Sequence, residues 1–134
     1  MLGTGLQGKT LGIVGLGQIG AATARRARAF GMRIAYAGRR RADAGVEAEL
    51  DAAMLDLDDL LATADVVSIH TPLSAETRHL IDARRLALMK PTAHLVNTSR
   101  GPVVDEAALA AALRDGTIAG AGLDVFEREP LPGS

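Results

Sequence analysis

The 134-residue chain has no cysteine and no tryptophan, and its only aromatic residues are Phe30, Tyr36 and Phe126. Without cysteine there can be no disulfide and no thiolate metal site. With so few aromatics, the core is expected to consist mainly of Leu, Val, Ile and Ala. An excess of either charge is also missing: 15 Lys and Arg stand against 16 Asp and Glu. The basic residues are dispersed apart from Arg39-Arg40-Arg41, which argues against a nucleic-acid partner. No run approaches the roughly 20 apolar residues of a membrane span. Met1 to Lys9 lacks the apolar stretch of a secretory signal, so the cytoplasm is the expected compartment. His70, His79 and His94 sit at no recognisable metal-ligand spacing, and no metal is expected.

What is present is regular. Hydrophobic residues make up 48% of the chain and charged residues 23%, an ordinary balance for one globular domain with one buried core. Short apolar runs alternate with amphipathic segments, the pattern of a sheet covered on both faces. Thr10 to Val14 reads as a continuous apolar strand, buried on both sides. Gln18 to Phe30 reads as a helix, with Ala21, Ala22 and Ala24 permitting close approach to the sheet and Gly31 ending it. Arg33 to Ala37 is a second strand. Asp56 is placed as the N-cap of a helix to about Thr63, with Asp58 and Asp59 suiting its dipole. Val66 to Ile69 and Ala93 to Val96 read as strands, separated by a short helix from Asp82 through Met89. Asp105 caps a helix to about Arg114, and Ala119 to Val125 is a final glycine-rich strand. The α/β order predicts a three-layer doubly wound parallel sheet.

Gly15-Leu16-Gly17-Gln18-Ile19-Gly20 joins the first strand to the first helix. A G-x-G-x-x-G motif is weak by itself in a chain with 15 glycines, but this context is that of a dinucleotide-binding turn. Gly15 allows the tight turn, Gly17 lets the backbone approach a pyrophosphate, and Gly20 permits close helix–strand packing. Amides near Gln18 and Ile19, at the helix start, would meet the negative charge.

An NAD-specific site usually ends its second strand with an acid that binds the ribose 2′-hydroxyl. Here Tyr36-Ala37-Gly38-Arg39-Arg40-Arg41 occupies that place, and no acid follows until Asp43. A guanidinium fork can hold a 2′-phosphate bidentately. Arg39 and Arg40 therefore predict a preference for NADP(H), with NAD(H) also possible.

The late block Asn97-Thr98-Ser99-Arg100-Gly101-Pro102-Val103-Val104-Asp105 is followed by Gly120-Ala121-Gly122-Leu123-Asp124-Val125-Phe126-Glu127-Arg128-Glu129-Pro130. It supplies an arginine and two acids suited to chemistry at a nicotinamide. A fixed guanidinium binds the carboxylate of a 2-keto acid and polarises its carbonyl. A histidine suits proton delivery near neutral pH, and a neighbouring carboxylate raises its pKa.

These motifs, with His70-Thr71-Pro72-Leu73, Thr77-Arg78-His79-Leu80-Ile81 and Leu88-Met89-Lys90-Pro91, resemble the cofactor-binding domain of the D-isomer-specific 2-hydroxyacid dehydrogenases. The resemblance runs from about Leu6 to Pro132, and the Tyr36 to Arg40 stretch looks most like the NADPH-using glyoxylate/hydroxypyruvate reductases. It implies a Rossmann-like dinucleotide-binding domain over residues 1–134. By position it implies that Gln18 and Ile19 hold the pyrophosphate, and that Thr71, Pro72 and Thr77 line the ribose and nicotinamide side of the cleft. Thr98 and Ser99 would contact the nicotinamide ribose region, and Asp124 would orient the carboxamide. Arg100 matches the catalytic arginine, and Glu129 the acid that pairs with the catalytic histidine.

The family pattern places that histidine well beyond Glu129, and none of His70, His79 or His94 matches it. It also carries a separate substrate domain, for which this chain has no sequence. The expectation is a fragment, isolated domain or truncated product that binds cofactor but turns over weakly or not at all alone. The partners implied are the dinucleotide, a small 2-keto or 2-hydroxy acid once the missing domain is supplied, and a second copy in a homodimer. The alternative reading is a non-catalytic NAD(P)-sensing or dimerisation module, as in the family's corepressor relatives.

Overall fold

The computed structural model describes residues 5–123. Six parallel strands form one sheet: β1 (Thr10–Val14), β2 (Arg33–Ala37), β3 (Ala53–Met54), β4 (Val66–Ile69), β5 (His94–Asn97) and β6 (Gly120–Leu123). Their order across the sheet is β3-β2-β1-β4-β5-β6. The connections are α1 (Gln18–Ala29), α2 (Ala44–Leu50), α3 (Leu57–Thr63), α4 (Ala83–Leu86) and α5 (Glu106–Arg114), with a 3-10 turn at Gly101–Val103. The chain is an α/β domain of the Rossmann type, in which strand order reverses at β1.

Side-chain alternation sorts the sheet into two cores. Leu11 and Ile13 of β1 and Ile34 and Tyr36 of β2 pack under α1 with Ala21, Ala24 and Ala27. Val14, Ala35 and Ala37 face the other way, joining Leu60 and Leu61 of α3, Leu86 of α4 and Leu109 of α5. The small residues on α1 let it lie close to the sheet. The aliphatic character follows from composition, with one exception: Tyr36 is fully buried and is among the largest side chains in the core.

Several boundaries depart from the sequence reading, each for a local reason. Helix α4 closes at Leu86 instead of continuing through Met89, because single turns (Leu88 N–H to the Arg85 carbonyl, Met89 N–H to Leu86) replace helix before Pro91. Strand β5 is shifted by one residue to His94–Asn97, since the Ala93 amide closes a turn onto the Lys90 carbonyl. Helix α2 and strand β3 were not anticipated. In α2 only Val46 and Leu50 are large apolar residues, and β3 is two residues long, so neither shows a readable period. Asp43 caps α2, accepting from the Gly45 amide at 3.0 Å. At α1, Gly31 takes φ +82°, as a terminating glycine does. The final strand ends at Leu123 within the described residues, and the expected extension to Val125 lies outside them.

Candidate cofactor-binding site

The site is built on the carboxyl ends of β1, β2 and β4. Gly15 leaves β1 with φ +94°, and its amide donates to the Ala37 carbonyl at 2.9 Å. A Cβ on Gly15 would stand 3.1 Å from the Thr71 amide nitrogen and 3.2 Å from the His70 carbonyl oxygen. The turn is thus pressed between β2 and β4, and only glycine combines that φ with that clearance. Gly17 is the N-cap of α1 and has open space where a side chain would be. Gln18 and Ile19 are exposed beside it, Ile19 at 72%. No acidic residue stands in the first turn of α1, so its amides, which lack intrahelical acceptors, present uncompensated positive potential. Gly20 is buried, and a Cβ there would lie 2.6 Å from the Gly15 carbonyl oxygen. Three glycines therefore do three separate jobs: conformation, approach and packing.

Beside the turn lies a pocket of about 560 Å³. Its lining comes from the ends of β1 and β2 (Val14, Gly15, Ala37 and Gly38), from Met54 to Leu57, and from the segment after β4 (Thr71, Glu76, Thr77 and Leu80). Arg39 and Arg41 stand at its rim, whereas Arg40 is exposed and does not line it. Arg41 is held through Nε by Glu47, 3.1 Å away. Glu47 in turn accepts from the buried Tyr36 hydroxyl, which itself accepts from the Ala42 amide at 2.9 Å. The Tyr36 hydroxyl above all keeps the Glu47 carboxyl below the usual carboxylate range, against the opposing effect of burial and with a lesser contribution from Arg41. Asp56 lies at the N-cap of α3, but its side chain makes no capping bond and instead lines the pocket. Its backbone carbonyl alone serves the helix, accepting from Leu60.

The loop after β4 is stapled by Thr77. Its buried hydroxyl donates to the Pro72 carbonyl at 2.7 Å and accepts from the Ser74 amide at 2.7 Å. Thr77 therefore borders the pocket mainly as a loop clamp. Thr71 lines the pocket half-buried, and Pro72 is exposed. His70, at the end of β4, shares a 2.8 Å hydrogen bond between Nε2 and the Ser68 hydroxyl. Burial pushes its pKa below the ordinary histidine value.

The opposite arm of the site follows β5. Asn97 is fully buried. Its amide donates to the Arg100 carbonyl at 3.0 Å, while Oδ1 accepts from the Ser99 amide at 3.1 Å and the Ser99 hydroxyl at 2.9 Å. One side chain thus sets the path of Thr98, Ser99 and Arg100, leaving Thr98 and Arg100 exposed and Ser99 half-buried. The two loops are tied together: the His79 amide donates to Pro102 at 2.7 Å, Ile81 to Val103 at 3.1 Å and Asp105 to Ile81 at 2.9 Å. Asp124 and Glu129 lie outside the described residues.

Four contributors were not singled out from sequence. Arg41 was read only as part of the basic cluster, and Asp56 only as a cap. Glu76 carried no motif signal, and Asn97 was quoted in a motif without a role. For Asn97 the available signal was an amide residue ending an apolar strand just before a polar turn. Among the described residues no group of three or more His, Asp or Glu side chains could hold a metal ion. No helix among them is long and apolar enough to cross a membrane.

Comparison with known proteins agrees with this geometry. The family model for the NAD binding domain of D-isomer specific 2-hydroxyacid dehydrogenases matches residues 1–134. A glyoxylate reductase from Thermococcus litoralis is 57% identical over 129 residues, covering 96% of this chain and 39% of that protein. One from Korarchaeum cryptofilum is 58% identical over 133 residues, covering 98% of this chain and 40% of its own length. Among solved structures, a glyoxylate reductase from Paecilomyes thermophila superposes with a TM-score of 0.92 at 48% identity, covering 98% of this chain and 39% of that one. The holo form of Rhodotorula graminis D-mandelate dehydrogenase gives 0.93 at 44% identity, covering 96% and 38%. The chain thus spans about 40% of the curated relatives it matches. It belongs to the D-isomer-specific 2-hydroxyacid dehydrogenase family, as the NAD-binding domain of that family.

Proposed function

We propose that this chain is the coenzyme-binding part of an NADP(H)-preferring oxidoreductase that interconverts a small 2-keto acid and its 2-hydroxy acid, with glyoxylate as the substrate suggested by its relatives. The observation that carries the reading is the Gly15–Gly20 turn at the strand-order reversal, opening beside a pocket rimmed by Arg39 and Arg41. The turn fits a dinucleotide: an open position at Gly17 and the exposed start of α1 receive the pyrophosphate at Gln18 and Ile19. Thr71 and the clamp formed by Pro72 and Thr77 wall the cleft, and Arg39 and Arg41 reach the adenosine side, with Arg40 exposed beside them.

The nicotinamide, when bound, supplies or accepts the hydride. Arg100, held by Asn97 at its backbone, binds the substrate carboxylate and polarises the reacting carbonyl. Thr98 and Ser99 support the nicotinamide ribose, and Asp124 orients the carboxamide. Glu129 pairs with the histidine that exchanges the proton, a residue other than His70, His79 and His94. Substrate selection and exclusion of water need a second domain closing over this one, so turnover belongs to the whole enzyme.

Calorimetric titration of the 134-residue chain with NADPH and NADH in parallel tests the reading. NADPH is expected to bind more tightly, and Arg39→Ala to cost it about tenfold while sparing NADH, as loss of a charge-assisted phosphate contact should. Equal affinities in the parent would overturn the NADP(H) preference, and binding of neither would overturn the cofactor reading.

A further inference from the structure

Glu76 lines the same pocket as Arg39, from the loop after β4, and feels the Arg39 charge. The pocket takes two cations, Arg39 and Arg41, and two anions, Asp56 and Glu76, so its formal charge cancels. That differs from the end of β2 alone, where only arginines are found. Glu76 is also well placed to act on a ligand. The Thr77 clamp holds its loop at both Pro72 and Ser74, and the Arg78 amide closes a further turn onto the Ser74 carbonyl at 3.0 Å. The Glu76 side chain is therefore presented from a fixed backbone. Its carboxyl is kept below the usual carboxylate range, first by its own backbone amide, then by the Ser74 hydroxyl and the Arg39 charge. It is ionised wherever the domain would meet its cofactor.

A dinucleotide in this pocket brings either a 2′-hydroxyl or a 2′-phosphate to the adenosine ribose. A carboxylate accepts a hydrogen bond from the hydroxyl and repels the phosphate, and an arginine does the reverse. The acid that usually performs the first task ends strand two, where this chain has Gly38-Arg39.

We infer that Glu76, supplied from the loop after β4, is a specificity-determining residue that takes the place of that acid. It receives the ribose 2′-hydroxyl of NAD(H), and it competes with a 2′-phosphate for Arg39. The pocket then accepts both cofactors, and its preference for NADP(H) is smaller than two rim arginines alone would produce. The inference rests on the cofactor reading above and adds a residue and a direction to it.

The test is titration of Glu76→Gln with NADPH and NADH beside the parent chain, with circular dichroism melts to establish folding. NADPH should tighten and NADH weaken. Together they should shift the ratio of dissociation constants by about fivefold to tenfold, the effect of one unit charge a few ångströms away in water. Glu76→Asp, which keeps the charge, should stay near the parent ratio. Glu76→Ser serves as a second charge-removing variant should the glutamine form not fold, and must move the ratio in the same direction. An unchanged ratio in a folded charge-removing variant that still binds both nucleotides would overturn the role of Glu76. A parent chain that binds neither would instead remove the cofactor reading on which the inference stands.

Discussion

The two arms of the site are ordered by opposite means. At the β1–α1 turn the shape comes from side chains that are missing: Gly15 turns at φ +94°, and Gly20 lets α1 settle against the Gly15 carbonyl. At the β5 loop the shape comes from one side chain that is present, since Asn97 gathers Ser99 and Arg100 around a single buried amide. The first arm uses no side chain to hold its shape and leaves backbone amides at the start of α1. The second holds a loop from inside, through the Arg100 backbone, and leaves the Arg100 side chain exposed. On the proposed reading, the backbone arm takes the ligand part common to all dinucleotides, and the side-chain arm takes the reacting end, with Arg100 toward the substrate.

The contrast breaks most sharply at Gly20. Gly20→Ala places a Cβ 2.6 Å from the Gly15 oxygen, and neither helix nor turn can yield without losing the other. A loss of roughly 3 kcal/mol or failure to fold is expected, read from the denaturant midpoint. Asn97→Ala should cost less, about 2 kcal/mol, because the Ser99 amide and the Arg100 carbonyl lose their buried partner. The fold should survive that change, and hydrogen exchange at residues 98–100 should rise with it. Gly17→Ala separates approach from packing. Open space at Gly17 should keep the stability loss to about 1 kcal/mol or less, while the new methyl weakens nucleotide binding in calorimetry. A large stability loss at Gly17, or none at Gly20, would undo the division of labour among the three glycines.

The smallest effect concerns His70, which lies between the two arms. Burial lowers its pKa from the ordinary value of 6.5, so the unfolded chain binds the proton first. His70 therefore makes no difference to stability well above pH 6.5, and favours the unfolded state as pH falls through that value. The parent melting temperature should drop between pH 7.5 and pH 5.5 by more than that of His70→Asn. Equal drops would mean that the Ser68–His70 pair accepts the proton without cost.

Legibility followed how local the cause was. Strands β1, β2 and β4 were read at their observed limits because an unbroken apolar run between turn residues needs no partner to be recognised. Asp82 and Asp105 were read as caps, and both side chains accept from an amide three residues on. Asp56 has the same sequence appearance, yet its carboxylate lines the pocket. Capping residues share one local pattern, and what decides among the possible partners of a carboxylate is what the rest of the chain brings near it.

The sequence by itself determined the parallel α/β arrangement and the glycine-rich turn between β1 and α1, because side-chain periodicity and glycine geometry act within a few residues. It also determined that the end of β2 carries arginine where an acid is usual. Only the tertiary structure decided which charges share the pocket beside that turn. The crossover connections bring Asp56 and Glu76, from two later loops, into the pocket lining that holds Arg39 and Arg41. Electrostatic balance in a pocket depends on distance through space, and distance along the chain does not report it.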